Sequence, residues 1–215
     1  MLNIVVPIAG KSYFFDNEKD GFPKPFIEIC GKTMLEHFVK NYENVKSKRF
    51  IFILKEEDVK RYHLDDAINV LTNNQSKIII LKNETQGMVC SVLMAIDEIN
   101  LNDAGVLSFE SVHPRWAYVK CDENNFVLEA FEKKPVSKNA IAGFYYFNKA
   151  KFFITSAFDM IKKDVNYEGK YFIAPILNEL ILQDKKIINI SIDKNRYFTF
   201  YSHAKINEYE RIKNA

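Results

Sequence analysis

The chain has 215 residues, 47% of them hydrophobic, which is enough for one well-buried core. Lys and Arg number 30 against 28 Asp and Glu, a formal charge of +2 with the signs interspersed, so no basic face points to nucleic acid or to a membrane surface. No run reaches the roughly 18 apolar residues of a membrane span, and Met1-Leu2-Asn3 leads straight into an apolar run without a basic leader, so a cytoplasmic protein is expected.

The predicted elements alternate. Asn3 to Pro7 is a short apolar strand, Met34 to Tyr42 repeats Met34, Leu35, Phe38, Val39 and Tyr42 at helical spacing, and "RFIFIL" is a second strand, which together make a βαβ pattern. A helix from Val59 to Leu71, the strand "KIIIL" and a helix from Met88 to Ile99 continue it. After "GVLSFES", the stretch Trp116 to Tyr146 changes character: Asp122-Glu123-Asn124-Asn125 reads as a hairpin turn between antiparallel strands added to the same sheet. Helices from Lys149 to about Ile161 and from Phe172 to Gln183, a strand "KIINISI" and a polar C-terminal helix follow. Alternation with continuous apolar strands predicts an α/β fold in three layers, a mostly parallel mixed sheet with helices on both faces. Without a repeat or a low-complexity linker, residues 1–215 read as a single domain.

Chemistry is expected where the first strand ends, because ligands of open parallel sheets gather at the carboxyl ends of strands. There the chain reads Pro7-Ile8-Ala9-Gly10-Lys11-Ser12. A glycine turn with free backbone N–H groups, a hydroxyl and a lysine suits phosphate oxygens, although a lone glycine after a strand is also an ordinary turn. It matches neither G-x-G-x-x-G nor G-x-x-x-x-G-K-[ST], which counts against a dinucleotide-binding oxidoreductase and a P-loop. In Phe22-Pro23-Lys24-Pro25-Phe26 two prolines stiffen the backbone around a lysine, so that Lys24 loses little entropy on holding an anion. Cys30, Cys90 and Cys121 lack metal spacing and read as packed, reduced thiols, and His113 before Pro114 reads as a turn residue.

With its "P-x-A-G" loop, "FPKPFIEICGKTM", "NETQGMVCSVLMA", "FEKKP" and "IAGFYYF" in this order, nearly the whole chain resembles the nucleoside triphosphate transferases, the sugar-1-phosphate nucleotidylyltransferase family. "HPRWAYVK", "EKKPVSKNAIAGFYYF" and "GKYFIAPILNELI" are similar to a branch found in capsular polysaccharide loci, of the CTP:phosphoglutamine cytidylyltransferase type. The resemblance implies a nucleotide-diphospho-sugar transferase-like fold and a reaction in which an acceptor phosphate attacks the α-phosphorus of a nucleoside triphosphate, CTP in this branch, and pyrophosphate leaves. Ala9, Gly10, Lys11 and Ser12 would cradle the triphosphate, with Lys11 and Lys24 neutralising its charge, while Gln86 and Gly87 would meet the base. Lys133 or Lys134 would hold the phosphate of a small phosphorylated acceptor, phosphoglutamine or a sugar 1-phosphate, with Glu132 and Gly143 beside it. Two lysines cannot balance the roughly four charges of a triphosphate, so Mg²⁺ is expected as cofactor.

Two departures from the family pattern stand out. Where G-x-G-[ST]-R is usual, Ser12 replaces the second glycine and Phe14 the arginine, so either Lys11 takes over that charge or the loop is weaker. After "AIDEIN" the family has a further strand ending in a metal-binding aspartate, whereas here Asn102 runs directly into Asp103-Ala104-Gly105. The domain therefore reads as having a segment missing between 102 and 104, and no residue is assigned as a metal ligand. Both departures favour the alternative reading, a degenerate nucleotide-binding relative without turnover; Lys24 and "EKKP" favour the enzyme.

Overall fold

A computed structural model describes residues 2–10, 15, 17–95 and 103–214, and divides the chain into two units, Met1–Glu84 with Phe198–Ala215 and Thr85–Tyr197.

In the first unit the opening run forms Leu2–Pro7 (β1), with Ile4 and Val6 buried. A helical turn at Asn17–Asp20 (α1) and a 3-10 turn at Lys24–Phe26 follow, then the two-residue strands Glu28–Ile29 (β2) and Lys32–Thr33 (β3) and the helix Met34–Lys40 (α2). A capping box starts α2: the Thr33 hydroxyl accepts from the Glu36 N–H at 3.1 Å while the Glu36 carboxylate accepts from the Thr33 N–H at 2.6 Å. Lys48–Lys55 (β4) lies between β1 and Ser76–Leu81 (β5) in a parallel sheet, Val5 opposite Ile51 and Ile53 opposite Ile79. Phe50 to Leu54 are all buried, as a strand covered on both faces requires.

The helix expected from Val59 to Leu71 is two helices, Glu56–Tyr62 (α3) and Leu64–Leu71 (α4), because His63 between them takes the left-handed conformation at φ 51° and interrupts the hydrogen-bond ladder.

The second unit contains Met88–Leu93 (α5), Asp103–Glu110 (β6), Tyr118–Cys121 (β7), Val127–Phe131 (β8), Asn139–Asn148 (β9), Ala150–Lys162 (α6), Ile176–Leu182 (α7) and Ile188–Ser191 (β10). Its sheet has the order β10-β6-β9-β7-β8, parallel only between β10 and β6. Among the described residues the strands between Trp116 and Tyr146 pair within this sheet rather than with β1, β4 or β5. Their long member, β9, pairs with β6 on one side and meets β7 on the other, which gathers them into a sheet of their own. The turn at Asp122 is as expected, its carboxylate accepting from the N–H groups of Asn124 and Phe126 at 2.9 and 2.8 Å.

Buried Val106, Val119, Val127, Ile141, Leu177 and Leu180 form the main core of this unit. The end of the expected Met88–Ile99 helix and the junction at 102 lie outside the described residues. The helix expected from Phe172 begins only at Ile176, with Pro175 as its N-cap.

His203–Asn214 (α8) returns to the first unit, where Ile206 packs with Phe15, Ile27 and Ile29 and the Glu210 carboxylate accepts from the Cys30 N–H at 2.8 Å. The structure is α/β, as the alternation implies, and no described helix is long and apolar enough to cross a membrane.

Candidate functional site

The expected site residues fall into two groups, one in each unit. In the first, β1 ends at Pro7, and the Ile8 N–H still donates to the Ile53 carbonyl at 3.0 Å, so the chain leaves the sheet at Ala9 and Gly10. Gly10 is exposed, and a Cβ there would meet nothing within 4 Å, so local space does not demand glycine at this position. Lys11, Ser12 and Phe14 lie outside the described residues.

Lys24 opens the 3-10 turn, held by Phe26 N–H to Pro23 carbonyl (2.9 Å) and Ile27 N–H to Lys24 carbonyl (3.1 Å) hydrogen bonds. Its ammonium stands 5.7 Å from the centroid of the buried Phe15 ring. Although the residue reaches solvent, the protein crowding its ammonium lowers its pKa from the ordinary lysine value by desolvation. Among the described residues no carboxylate forms an ion pair with it. A cleft at the carboxyl ends of β4 and β5, lined by Lys55, Glu56, Glu57, Lys60, Arg61 and Lys82, contains none of the expected residues; Glu57 pairs with Lys55 and Glu56 with Lys60.

In the second unit Gln86 and Gly87 form the turn before α5. Gly87 sits at φ 114° against Tyr171, where a Cβ would come within 2.5 Å of the Tyr171 carbonyl oxygen, so only glycine fits. The Tyr171 N–H donates to the Gln86 carbonyl at 2.9 Å and the Tyr171 carbonyl accepts from the Val89 N–H at 3.3 Å. The Thr85 hydroxyl donates to the Gly87 carbonyl at 3.1 Å and shares a 2.6 Å hydrogen bond with the Ser91 hydroxyl. Gln86 itself is exposed.

Glu132, Lys133 and Lys134 follow β8. Burial raises the Glu132 carboxyl from its ordinary value to about 7, with the Lys133 charge opposing. The Tyr145 phenol, on β9, is pushed far above its usual range by burial first, then by the charges of Glu132 and Tyr197. Lys133 takes the left-handed conformation at φ 50° and places its ammonium 4.7 Å from the Tyr167 ring centroid and 5.1 Å from that of Phe172. Lys134 is exposed and lies over Phe131 at 5.5 Å. The structure thereby distinguishes two lysines that the motif leaves equivalent. Gly143 is exposed, with open space where a Cβ would be.

Sequence reasoning gave no role to Phe15, Tyr145, Tyr167, Tyr171 or Phe172, although Tyr145 lies in "IAGFYYF" and Tyr171 and Phe172 in "GKYFIAPILNELI". His113 is a turn residue as expected, its Nδ1 accepting from the Arg115 N–H at 3.2 Å. Cys30 is exposed rather than packed, while Cys90 and Cys121 are half-buried thiols with pKa values raised by burial. Among the described residues no three His, Cys, Asp or Glu side chains gather into a metal cage.

No family model and no curated protein sequence matches the chain. Solved structures do. A nucleoside-diphosphate-sugar pyrophosphorylase from Vibrio cholerae RC9 superimposes with a TM-score of 0.81 at 20% identity, over 97% of this chain and 100% of that one. An inositol-1-phosphate CTP transferase from T. maritima gives 0.76 at 11% identity over 100% and 95% of the two chains. The CTP:phosphocholine cytidylyltransferase of Streptococcus pneumoniae gives 0.71 at 11% identity over 99% and 98%. The chain shares the α/β fold of these three structures over nearly its whole length.

Proposed function

We propose that the protein is a nucleotidyltransferase that moves CMP from CTP onto a small phosphorylated acceptor and releases pyrophosphate, making an activated building block for a capsular polysaccharide. An acceptor phosphate oxygen attacks the α-phosphorus, a new P–O bond forms, and the bond from the α-phosphorus to the bridging oxygen breaks as pyrophosphate departs. No covalent nucleophile on the protein is needed; the protein positions two anions and offsets their charge. The observation that carries this reading is Lys24, a cation in a proline-stiffened turn whose ammonium is partly desolvated and meets no ion-pair partner among the described residues. Lys133, framed by two rings beside Glu132, is the group proposed for the acceptor phosphate. The fold shared with several nucleotidyltransferases supports the reaction class, and the choice of CTP rests on the resemblance of the "EKKPVSKNAIAGFYYF" and "GKYFIAPILNELI" stretches.

Magnesium is proposed to arrive with the triphosphate. It keeps several of its own waters and needs few protein carboxylates, which suits a chain whose described residues form no cage. Bound there, it would supply the charge neutralisation that Lys11 and Lys24 cannot complete. The test is pyrophosphate release from CTP, UTP, GTP or dTTP with phosphocholine, phosphoglutamine or sugar 1-phosphates, in Mg²⁺ or in EDTA. Turnover with CTP that stops in EDTA is expected. Nucleotide binding without turnover on every acceptor would favour the degenerate relative, the reading that Phe14 in place of arginine supports.

A further inference from the structure

The two expected groups of the second unit, the Gln86–Gly87 turn and Lys133, are far apart in sequence, yet both are held by one segment, Asp164 to Phe172. This segment has its own internal order. Asp164 Oδ1 accepts from the Asn166 side-chain amide at 2.9 Å and from the Tyr171 hydroxyl at 2.8 Å. Asn166 Oδ1 accepts from the Gly169 N–H at 3.0 Å, and Tyr167 and Lys170 exchange backbone hydrogen bonds of 3.0 and 3.1 Å. Asp164, Glu168 and Gly169 all sit at positive φ, so the loop has a defined path and not a loose one.

At one end of that path, the Tyr171 backbone brackets the turn through its bonds to Gln86 and Val89 and through its close approach to Gly87. At the other contact, the Tyr167 and Phe172 rings meet nearly edge to face, with centroids 6.3 Å apart and planes at 77°, and the corner they make receives the Lys133 ammonium. Tyr171 and Phe172 are neighbours in the chain, so the residue that brackets the turn directly precedes one ring of the corner.

We propose that Asp164–Phe172 is a strap that fixes Lys133 relative to the Gln86–Gly87 turn, so that a nucleotide bound at the turn pre-sets the lysine that receives the acceptor phosphate. Tyr167 and Phe172 are positioning residues in this scheme, since they act through Lys133. The proposal rests on the nucleotidyltransferase reading for its biological meaning, but the mechanical link stands on the packing alone. A contiguous path of hydrogen bonds and packed rings is the physical basis on which two sites become coupled.

Amide hydrogen exchange read by mass spectrometry on the full chain tests it, with the strand segment 48–55 of the first unit as reference. Without ligand, Gly87→Ala should speed exchange in 164–172 and also in 131–136, by about fivefold or more, the low end of typical coupling. Phe172→Leu should speed 131–136, and Phe172→Tyr, which keeps the ring, should restore it. With CTP and Mg²⁺, the native chain should be protected at 85–90, at 164–172 and at 131–136, and Phe172→Leu should lose only the last. Unchanged exchange at 131–136 in both Gly87→Ala and Phe172→Leu overturns the strap. If Gly87→Ala opens the whole unit, Phe172→Leu decides: unchanged exchange at 131–136 overturns the strap, and faster exchange there that Phe172→Tyr restores supports it. Absent protection at 85–90 with every nucleoside triphosphate would instead strike the nucleotide reading, leaving the ligand-free comparison to settle the strap.

Discussion

The side-chain amide of Asn178 is doubly hydrogen-bonded to the backbone of Ala130, its Oδ1 accepting from the Ala130 N–H and its Nδ2 donating to the Ala130 carbonyl, each at 2.8 Å. Ala130 lies in β8, the edge strand of its sheet among the described residues, and Asn178 imitates a further strand there. Because β8 runs into Glu132 and Lys133, the amide also fixes the base from which both project. Asn178→Leu keeps the branched shape but leaves a donor and an acceptor unpaired, and should cost about 2–4 kcal/mol in urea unfolding. Asn178→Asp should also destabilise, since a second oxygen would then face the Ala130 carbonyl.

Lys24→Ala should lower kcat by roughly a hundredfold, or about 3 kcal/mol of transition-state stabilisation, while the melting temperature stays nearly unchanged. Its depressed pKa adds a signature in pH. The charge is lost as pH rises, so the alkaline limb of the rate profile should lie below the ordinary lysine range, and Lys24→Arg should move that limb upward. A native limb that Lys24→Arg leaves in place would assign it to another group.

The two lysines of "EKKP" should separate in kinetics. Lys133→Ala removes the cation between Tyr167 and Phe172 and should raise the Michaelis constant for the acceptor by about tenfold or more with little change for CTP. Lys134→Ala, at an exposed position, should change either constant less than about threefold. Equal effects would return the two to equivalence.

Glu132 should make stability fall with rising pH. The unfolded chain releases this proton near 4.5 and the folded chain only near 7, so across that window the native state binds more protons and loses stability as pH rises. From pH 5 to 8 the native chain should lose about 2.5 kcal/mol relative to Glu132→Gln. Parallel denaturation curves for the two proteins at both pH values would show that the carboxyl is not buried in solution.

Much of the fold is legible because its causes are local. The spacing of Met34, Leu35, Phe38 and Val39 announces α2, and the unbroken Phe50–Leu54 run announces a strand covered on both faces. The break at His63 is hidden, since no Gly or Pro marks it between Glu56 and Leu71 and the interruption is a single backbone angle. Gathering β6 to β10 into a sheet of their own depends on what β9 pairs with, a non-local choice that periodicity does not encode.

At the candidate site the legible part is equally local. The stiffness of Pro23-Lys24-Pro25 and the place of Gly87 before a helix can be read directly. That Lys24 meets Phe15, and that Lys133 rather than Lys134 enters a ring corner, follows from residues remote in sequence. Tyr171 contributes through its backbone, which its side-chain identity does not reveal.

The return of α8 to the first unit has a consequence for how the chain matures on the ribosome. Cys30 and Glu210, joined by a hydrogen bond, are 180 residues apart, and Asp20 and His203 are 183 apart. The second unit is one uninterrupted stretch and can fold as soon as it emerges, whereas the cluster of Phe15, Ile27 and Ile29 stays open until Ile206 has been synthesised. For most of translation, then, the proline-flanked lysine turn sits on an unfinished support. A stalled chain that stops before residue 203 would carry a folded second unit and expose that apolar cluster, the kind of surface on which chaperones act.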